Sequence, residues 1–540
     1  MSAPTYTVAL SGGLASRSDP ATLPAGQGNG VSWTKEGDYF AVAHNSSPYV
    51  TWYSRSSNTL VKQSNPATLP ADDANDVAWT PDGDYLAVAH AGSPFVTVYF
   101  RSGGTLTKIA DPATLPAGEA FGVAWTANGV YLAVAHASSP YVTVYMRVGN
   151  TLVKLSDPAI LPTGQGNGVA WDDDGTYLAI AHATSPYVTA YSMSGAILTK
   201  LADPATLPTG EGKDVDWTLD GSHLAVAHTT TPFITLYSRS GSTLTKLSNP
   251  ATLPGGDATG CSFTREGESF LAVTHEFTPY MTWYSRVGDT FSKLGNPATL
   301  PSDGEVTVSL QPGPTPGKDT FAGPSHPGQP NNVNLNCGWN VQMQARSWVE
   351  FDIASLGIPA NATIKSAVIE LDCVSGRTGT SVECYRNTSA WTETGPNYMN
   401  NHPAFDPTLI DAVSTVSTGW KTFDIKTIVQ GWVDGTYTNY GLRFSRSVAG
   451  SNGDVLFNSS DHGTASTRPK LTIVYEEYPL GVSWMSDGQF LAVARQFSPF
   501  LAWYSHDGFG ALEIGDDVFA LLPGVDIRRG RDQERVLTPM

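Results

Sequence analysis

Hydrophobic and polar residues alternate with a period of two over most of the chain. In residues 76–119, four short runs rich in β-branched and aromatic residues (VAW, YLAVAH, FVTVYF and TLTKIA) are separated by PDG, GSP, SGG and a longer PATLPAGE connection. This pattern predicts four strands joined by tight turns, a meander sheet. Within YLAVAH the large Leu86 and Val88 alternate with Ala87 and Ala89, giving the sheet one bulky and one small face. Such sheets stack, the bulky face of one filling the small face of the next.

The unit repeats. Trp33, Trp79, Trp125, Trp171 and Trp217, then Phe263, follow one another at 46-residue intervals, and a seventh unit at 481–505 carries Trp484 in the same slot. A period of 40–50 residues with a two-residue internal period predicts propeller blades rather than a helical solenoid. The stretch 14–24, LASRSDPATLP, matches the last strand of a blade and is placed to complete the seventh sheet. Residues 510–524, GALEIGDDVFALLPG, compete for that place, and closure by the N-terminal strand is the expectation.

The W-T/S-x-D-G turn, written WTPDG, WTLDG and WMSDG, resembles that of WD-repeat-like β-propellers. The core YLAVAHxSSPYVTVY is similar to propeller repeats of tailed-bacteriophage structural proteins and some bacterial surface proteins. The resemblance implies a fold; propellers serve many functions.

The tryptophan due near position 309 arrives only at 484, so a second domain is spliced into one connection between blades. Its strands read VTVSL, SWVEFDI, SAVIELDCV, TSVECYR, KTFDI, YGLRFSR, DVLFNSS and KLTIVYE, without strong helical periodicity. That predicts a jelly-roll-like β-sandwich. The insert resembles the DNRLRE family, relatives of carbohydrate-binding modules. The resemblance rests on LQPG (310–313), DTFAG (319–323), the 346–371 segment, SAWTETGPNYMN (389–400), WKTFDIKTIVQGWVDG (420–435), YGLRF (440–444) and RPKLTIVYE (468–476). The expected fold is therefore all-β, a seven-bladed β-propeller with an inserted sandwich. Blades one to six and the closing strand take 1–304, the sandwich 305–476, the seventh blade 477–524, and a tail 525–540.

Composition narrows the function. The 540 residues carry a formal charge of −18, which argues against nucleic-acid or anionic-membrane partners. No run approaches the roughly 20 apolar residues of a membrane span, and the opening residues lack the pattern of a signal peptide. The four cysteines, Cys261, Cys337, Cys373 and Cys384, lack zinc-site spacing; Cys373 and Cys384 either bridge across a hairpin or are small buried side chains. Against this acidic background the tail gathers Arg528, Arg529, Arg531 and Arg535, and reads as a solvated end or a docking peptide.

No GxSxG, HExxH, P-loop or dinucleotide fingerprint occurs, and no enzyme is expected. His44, His90, His136, His182, His228 and His275, with Arg495 in the seventh slot, end the second strand of each blade. A ring of imidazoles suggests a metal, a pH switch or an anion site. Its strict repetition favours a structural role, each ring bonding a turn carbonyl. The aromatics beyond the following prolines, Tyr49, Phe95, Tyr141, Tyr187, Phe233, Tyr280 and Phe500, read as packing for the same reason. The positions that differ between blades are Asp72, Asp73, Asp76, Glu119, Phe121, Glu211 and Lys213, assigned to the long connections.

In the insert, Trp391, Tyr398, Asn400, Asn401 and His402 cluster in one stretch, with Trp339 and Arg346 elsewhere. Planar rings beside amides suit sugar stacking and hydroxyl recognition, although Trp391 also fits a core position. Asp319 and Asp352 are the candidates for a structural calcium; no other cofactor is indicated. The expected function is a non-enzymatic virion protein of a tailed phage (capsid decoration, fibre or tail tip). Its propeller would contact other virion proteins and its sandwich host-surface polysaccharide. The alternative is a bacterial surface or secreted carbohydrate-binding protein.

Overall fold

The computed structural model describes residues 13–265, 270–301, 306–313, 317–322, 332–340, 343–358, 362–376, 381–394, 402–414, 417–446, 453–476, 478–496 and 498–506. Seven antiparallel four-stranded sheets form the blades of a β-propeller. Blade 2 is representative: Ala74–Trp79, Tyr85–His90, Val96–Ser102 and Thr105–Lys108, paired in sequence order. The first strands of successive blades contact one another around a ring, and Val482–Trp484 of blade 7 meets Gly28–Trp33 of blade 1. The fourth strand of blade 7 is Leu14–Ser16, antiparallel to Leu501–His506 with Leu14 opposite His506. Residues 510–524 and the tail arginines Arg528, Arg529, Arg531 and Arg535 lie outside the described residues.

The bulky-against-small alternation holds the blades together. Ala41, Ala43, Val50 and Trp52 of blade 1 pack on Val77, Trp79, Leu86 and Val88 of blade 2 in one buried cluster. At about 25 cal/mol per Å2 of apolar surface, these interfaces are the main stabilising term. Cation–π contacts tie the rims: Arg101 lies 4.2 Å from the Tyr39 ring of the preceding blade, and Arg55 sits 4.8 Å from Phe490, closing blade 7 on blade 1. The connection leading into blade 2 is pinned from that blade, where Tyr99 Oη donates to Thr68 O at 2.9 Å.

The sandwich is two sheets. One orders Val306–Leu310, Lys470–Glu476, Thr363–Ser375, Leu456–Asn458 and Asn334–Asn336, with Gly419–Asp424 on the other edge of the long Thr363–Ser375 strand. The second orders Lys318–Ala322, Arg346–Glu350, Leu442–Arg446, Ser381–Arg386 and Asp411–Ser414. Ile369, Leu371, Phe423, Phe444, Phe457 and Ile473 fill the core between them. One helix, Lys426–Val433, was not expected; with eight residues it is too short to impose a visible periodicity, and it buries Val429 and Trp432. All four cysteines are buried and free, so Cys373 and Cys384 take the packing role rather than bridging.

The sandwich is anchored at one end. Tyr280 Oη of blade 6 donates to Glu476 Oε2 at 2.7 Å, and Lys365 Nζ pairs with the same oxygen at 2.6 Å. Thr363 stands opposite Glu476, so the Thr363–Ser375 strand begins beside the propeller and ends away from it.

Candidate functional site

The far end of that long strand carries an outward-facing row. Strand alternation buries Ile369, Leu371 and Cys373 and turns Glu370 and Asp372 outward. On the neighbouring strand Phe423 is buried, which turns Trp420 and Thr422 to the outer face. Asp372 stands directly opposite Trp420, and Glu370 opposite Thr422. On the other side Asn458 Nδ2 donates to Asp372 Oδ2 at 3.0 Å, and Asn458 pairs in register with Asn334. The row Trp420, Asp372, Asn458, Asn334 thus crosses four strands. Trp420 is 42% exposed, unusual for a tryptophan, while Asn458 is 3% exposed and fixes the carboxylate. An open indole beside a positioned carboxylate and amides can stack a pyranose ring and bind its hydroxyls. Sequence reasoning missed this row. The signal was the alternation in WKTFD and IELDC, which sets Trp420 and Asp372 opposite to the core residues.

Of the residues expected to form a sugar site, Trp391, His402 and Arg346 are not on this row. Trp391 is a core residue: it is 8% exposed, packs with Ala322 and Trp348, and donates Nε1 to Tyr440 O at 2.9 Å. Lys318 Nζ covers its ring at 4.6 Å, so the indole has no free face for a sugar. Tyr398, Asn400 and Asn401 fall outside the described residues. His402 is exposed, with Nδ1 3.3 Å from Pro403 O. Trp339 lies in a short hairpin, Trp339–Asn340 with Met343–Gln344. Arg346 is half-buried at the start of its strand, and its charge helps burial lower the pKa of Arg443 to about 10.

Asp319 is buried and accepts from Ser460 N at 2.6 Å, and burial pushes its carboxyl up to about 7. Asp352 is exposed, ahead of a short 3-10 helix. Among the described residues no three His, Cys, Asp or Glu side chains are grouped as a metal site.

The histidine ring is built into the blades. His44, His90, His136, His182, His228 and His275 are each 0% exposed, with Nε2 2.9–3.0 Å from a threonine hydroxyl of the third strand, Thr51, Thr97, Thr143, Thr189, Thr235 and Thr282. A threonine partner was not anticipated; the turn carbonyl is seen at His228, whose Nδ1 is 2.9 Å from Thr229 O. Burial holds His44, His90, His136, His182 and His275 down at about 4, and also lowers His228. Arg495, half-buried in the seventh slot, offsets part of the burial-driven rise of Asp19. Tyr49, Phe95 and Phe233 pack on the blade clusters with φ of 66–68°, whereas Tyr280 is covered by the sandwich anchor.

The first strands enclose an axial channel of about 400 Å3. Asp76, Phe121 and Lys213 lie on these strands, not in the connections as expected. Asp76 bridges two blades: its Oδ1 accepts from Val77 N at 2.8 Å and its Oδ2 from Val123 N at 3.0 Å. Asp214 repeats this with Val215 N and Cys261 N, both at 2.9 Å. The carboxylates need glycine on the preceding blade, since a Cβ on Gly30 would stand 2.5 Å from Asp76 Oδ1 and one on Gly168 2.6 Å from Asp214 Oδ1. Burial pushes Asp76 up to about 7 and Asp214 to about 8. These acids are spent on the blade-to-blade belt.

Among solved structures the chain is similar to hydrazine synthase of Kuenenia stuttgartiensis, with 12% identity and a TM-score of 0.43 over 90% of this chain and 97% of that one. It is also similar to a protein of Lactobacillus plantarum, with 18% identity and a TM-score of 0.41 over 52% of this chain and 87% of the other. At that distance neither speaks to what this chain binds. No curated protein matches in sequence. Residues 325–475, the sandwich without its first two strands, match carbohydrate-binding module family 96.

Proposed function

We propose that the protein is a non-catalytic carbohydrate-binding protein whose sandwich holds the glycan and whose propeller is the platform. The observation that carries this reading is the match of residues 325–475 to a carbohydrate-binding module family. The exposed Trp420, set opposite Asp372 at the end of the sandwich remote from the propeller anchor, supports it. A pyranose would lie on the indole, with hydroxyls meeting Asp372 and Asn334. Titration of the full chain with soluble polysaccharides tests this: wild type binds at least one, and Trp420→Ala loses at least tenfold in affinity.

The setting we propose is the surface of a tailed-phage virion, the propeller contacting other virion proteins and the sandwich reaching host polysaccharide. This finer reading rests on the likeness of the YLAVAHxSSPYVTVY core alone. Mass spectrometry of purified particles tests it: the chain in stoichiometric amount supports it, and the chain only on cell surfaces favours the bacterial alternative.

A further inference from the structure

The second sheet of the sandwich has an outer face of its own. In the strand Leu442–Arg446, Leu442 and Phe444 belong to the core, so alternation turns Arg443 outward. The same rule turns out Tyr385, next to the core residue Cys384, and Trp348, next to Val349. Trp348 and Tyr385 stand in register on either side of Arg443. The chain beyond the Ser381–Arg386 strand folds back over this place. Asn387 bridges to Phe405, and the guanidinium carbon of Arg443 lies 3.8 Å from the Phe405 ring centroid and 5.8 Å from that of Tyr385. The Trp420 row belongs to the other sheet, across the core.

Arg443 is anomalous there. It is 6% exposed, and a guanidinium that deep normally meets a carboxylate. The acids around it are committed elsewhere: Asp406 pairs with Arg386 at 3.0 Å, and Glu383 accepts from Tyr385 Oη at 2.9 Å. Among the described residues no hydrogen bond or ion pair engages the Arg443 guanidinium. Its Nε is sealed off without a partner, whereas Nη1 and Nη2 are neither bonded nor sealed off. Phe405 covers one face of the group, so a ligand must approach the terminal nitrogens along the edge, in the guanidinium plane. A planar carboxylate arriving there accepts two parallel N–H bonds, the strongest geometry open to arginine. Charge points the same way. Arg346 adds a second positive charge beside Arg443 and Glu383 offsets one of the two, which suits a monoanion better than a dianion such as phosphate.

We infer that Arg443 anchors a carboxylate-binding site on the outer face of the second sheet, beneath Phe405 and beside Tyr385, which takes the carboxylate of a small organic acid or of an acidic sugar residue. The site does not depend on the Trp420 row, and an acidic sugar there would give the sandwich a glycan contact on each of its two faces.

Calorimetric titration of the full chain with acetate, galacturonate, hexagalacturonate and neutral cellohexaose tests it, using wild type, Arg443→Met and Arg443→Lys, each checked by thermal unfolding. Arg443→Met deletes an unpaired charge and keeps an unbranched side chain, so it should unfold no earlier than wild type in the absence of ligand. Arg443→Lys keeps the charge and loses the planar fork. The expected result is that wild type binds a carboxylate, that Arg443→Met weakens this at least tenfold and Arg443→Lys at least fivefold, and that neither changes the response to cellohexaose. Hexagalacturonate bound more tightly than acetate and galacturonate assigns the site to an acidic sugar chain, and equal affinity for all three assigns it to a free carboxylate. Absence of carboxylate binding by wild type, or binding that survives both substitutions, overturns the site. The Trp420→Ala titration with polysaccharides decides the carbohydrate reading of the other face separately, so either can fail while the other stands.

Discussion

Tyr280 of the sixth blade donates its hydroxyl to Glu476, in the last strand of the sandwich, at 2.7 Å. The equivalent aromatics of other blades are half-buried, so this one position has been recruited from a repeated packing role to hold the inserted domain. Tyr280→Phe should cost roughly 1.5–3 kcal/mol, the worth of a hydrogen bond to a charged acceptor. It should also speed amide hydrogen exchange at Leu480, in the chain returning to the propeller. Exchange at Leu480 equal to wild type would mean that the junction is held elsewhere.

The buried histidines set the acid limit of the propeller. Their folded pKa values lie near 4, below the usual 6.5, so their contribution is fully present above about pH 6.5 and is lost as pH falls toward 4. Each proton taken up on unfolding adds a slope of about 1.4 kcal/mol per pH unit. Denaturant titrations between pH 7 and 4.5 should show a steep loss of propeller stability, with several protons bound on unfolding. A flat profile over that window would contradict the buried, neutral state of the ring.

Asp214 acts in the opposite sense. Its folded pKa of about 8 lies above the usual 3.8, so its contribution is greatest below about pH 4 and is lost as pH rises through 8. Replacing it with the glycine found at the equivalent place in other blades, Asp214→Gly, should therefore cost more at pH 6 than at pH 8.5. The expected difference is about 2–3 kcal/mol. Equal cost at both values would show that the carboxylate is not desolvated between the blades.

Burial raises the pKa of Cys261, Cys337, Cys373 and Cys384. Thiol titration should find none reactive in the native protein and four in denaturant, unchanged by prior reduction. Two thiols gained only after reduction would restore the bridge between Cys373 and Cys384.

The repeat was the most legible part of the chain, because each blade writes the same period-two pattern and the same tryptophan slot, Trp33 to Trp217, at a fixed interval. The sandwich was legible as strands but not as a surface. Trp391 drew attention as one of several polar and aromatic residues in a loop-like stretch, yet it is packed under Lys318; Trp420 sat unnoticed within a strand whose alternation turns it outward. Which face of a strand meets the core depends on its partner, as Leu371 and Phe423 decide for Trp420, and local pattern gives only the alternation. Asp76, expected in a connection, lies on the first strand of blade 2. Its two backbone donors come from its own blade and the next, a relationship across 47 positions that no local window contains.

The contrast between the two tryptophans gives the most direct test of carbohydrate binding by the outer row. Polysaccharide affinity of the full chain should be measured together with thermal unfolding for Trp420→Ala and Trp391→Ala. Trp420→Ala should keep wild-type stability and lose at least tenfold in affinity, whereas Trp391→Ala should lose roughly 3–5 kcal/mol of sandwich stability, the usual cost of emptying a buried tryptophan site. Undiminished binding by a fully folded Trp420→Ala protein would contradict the account.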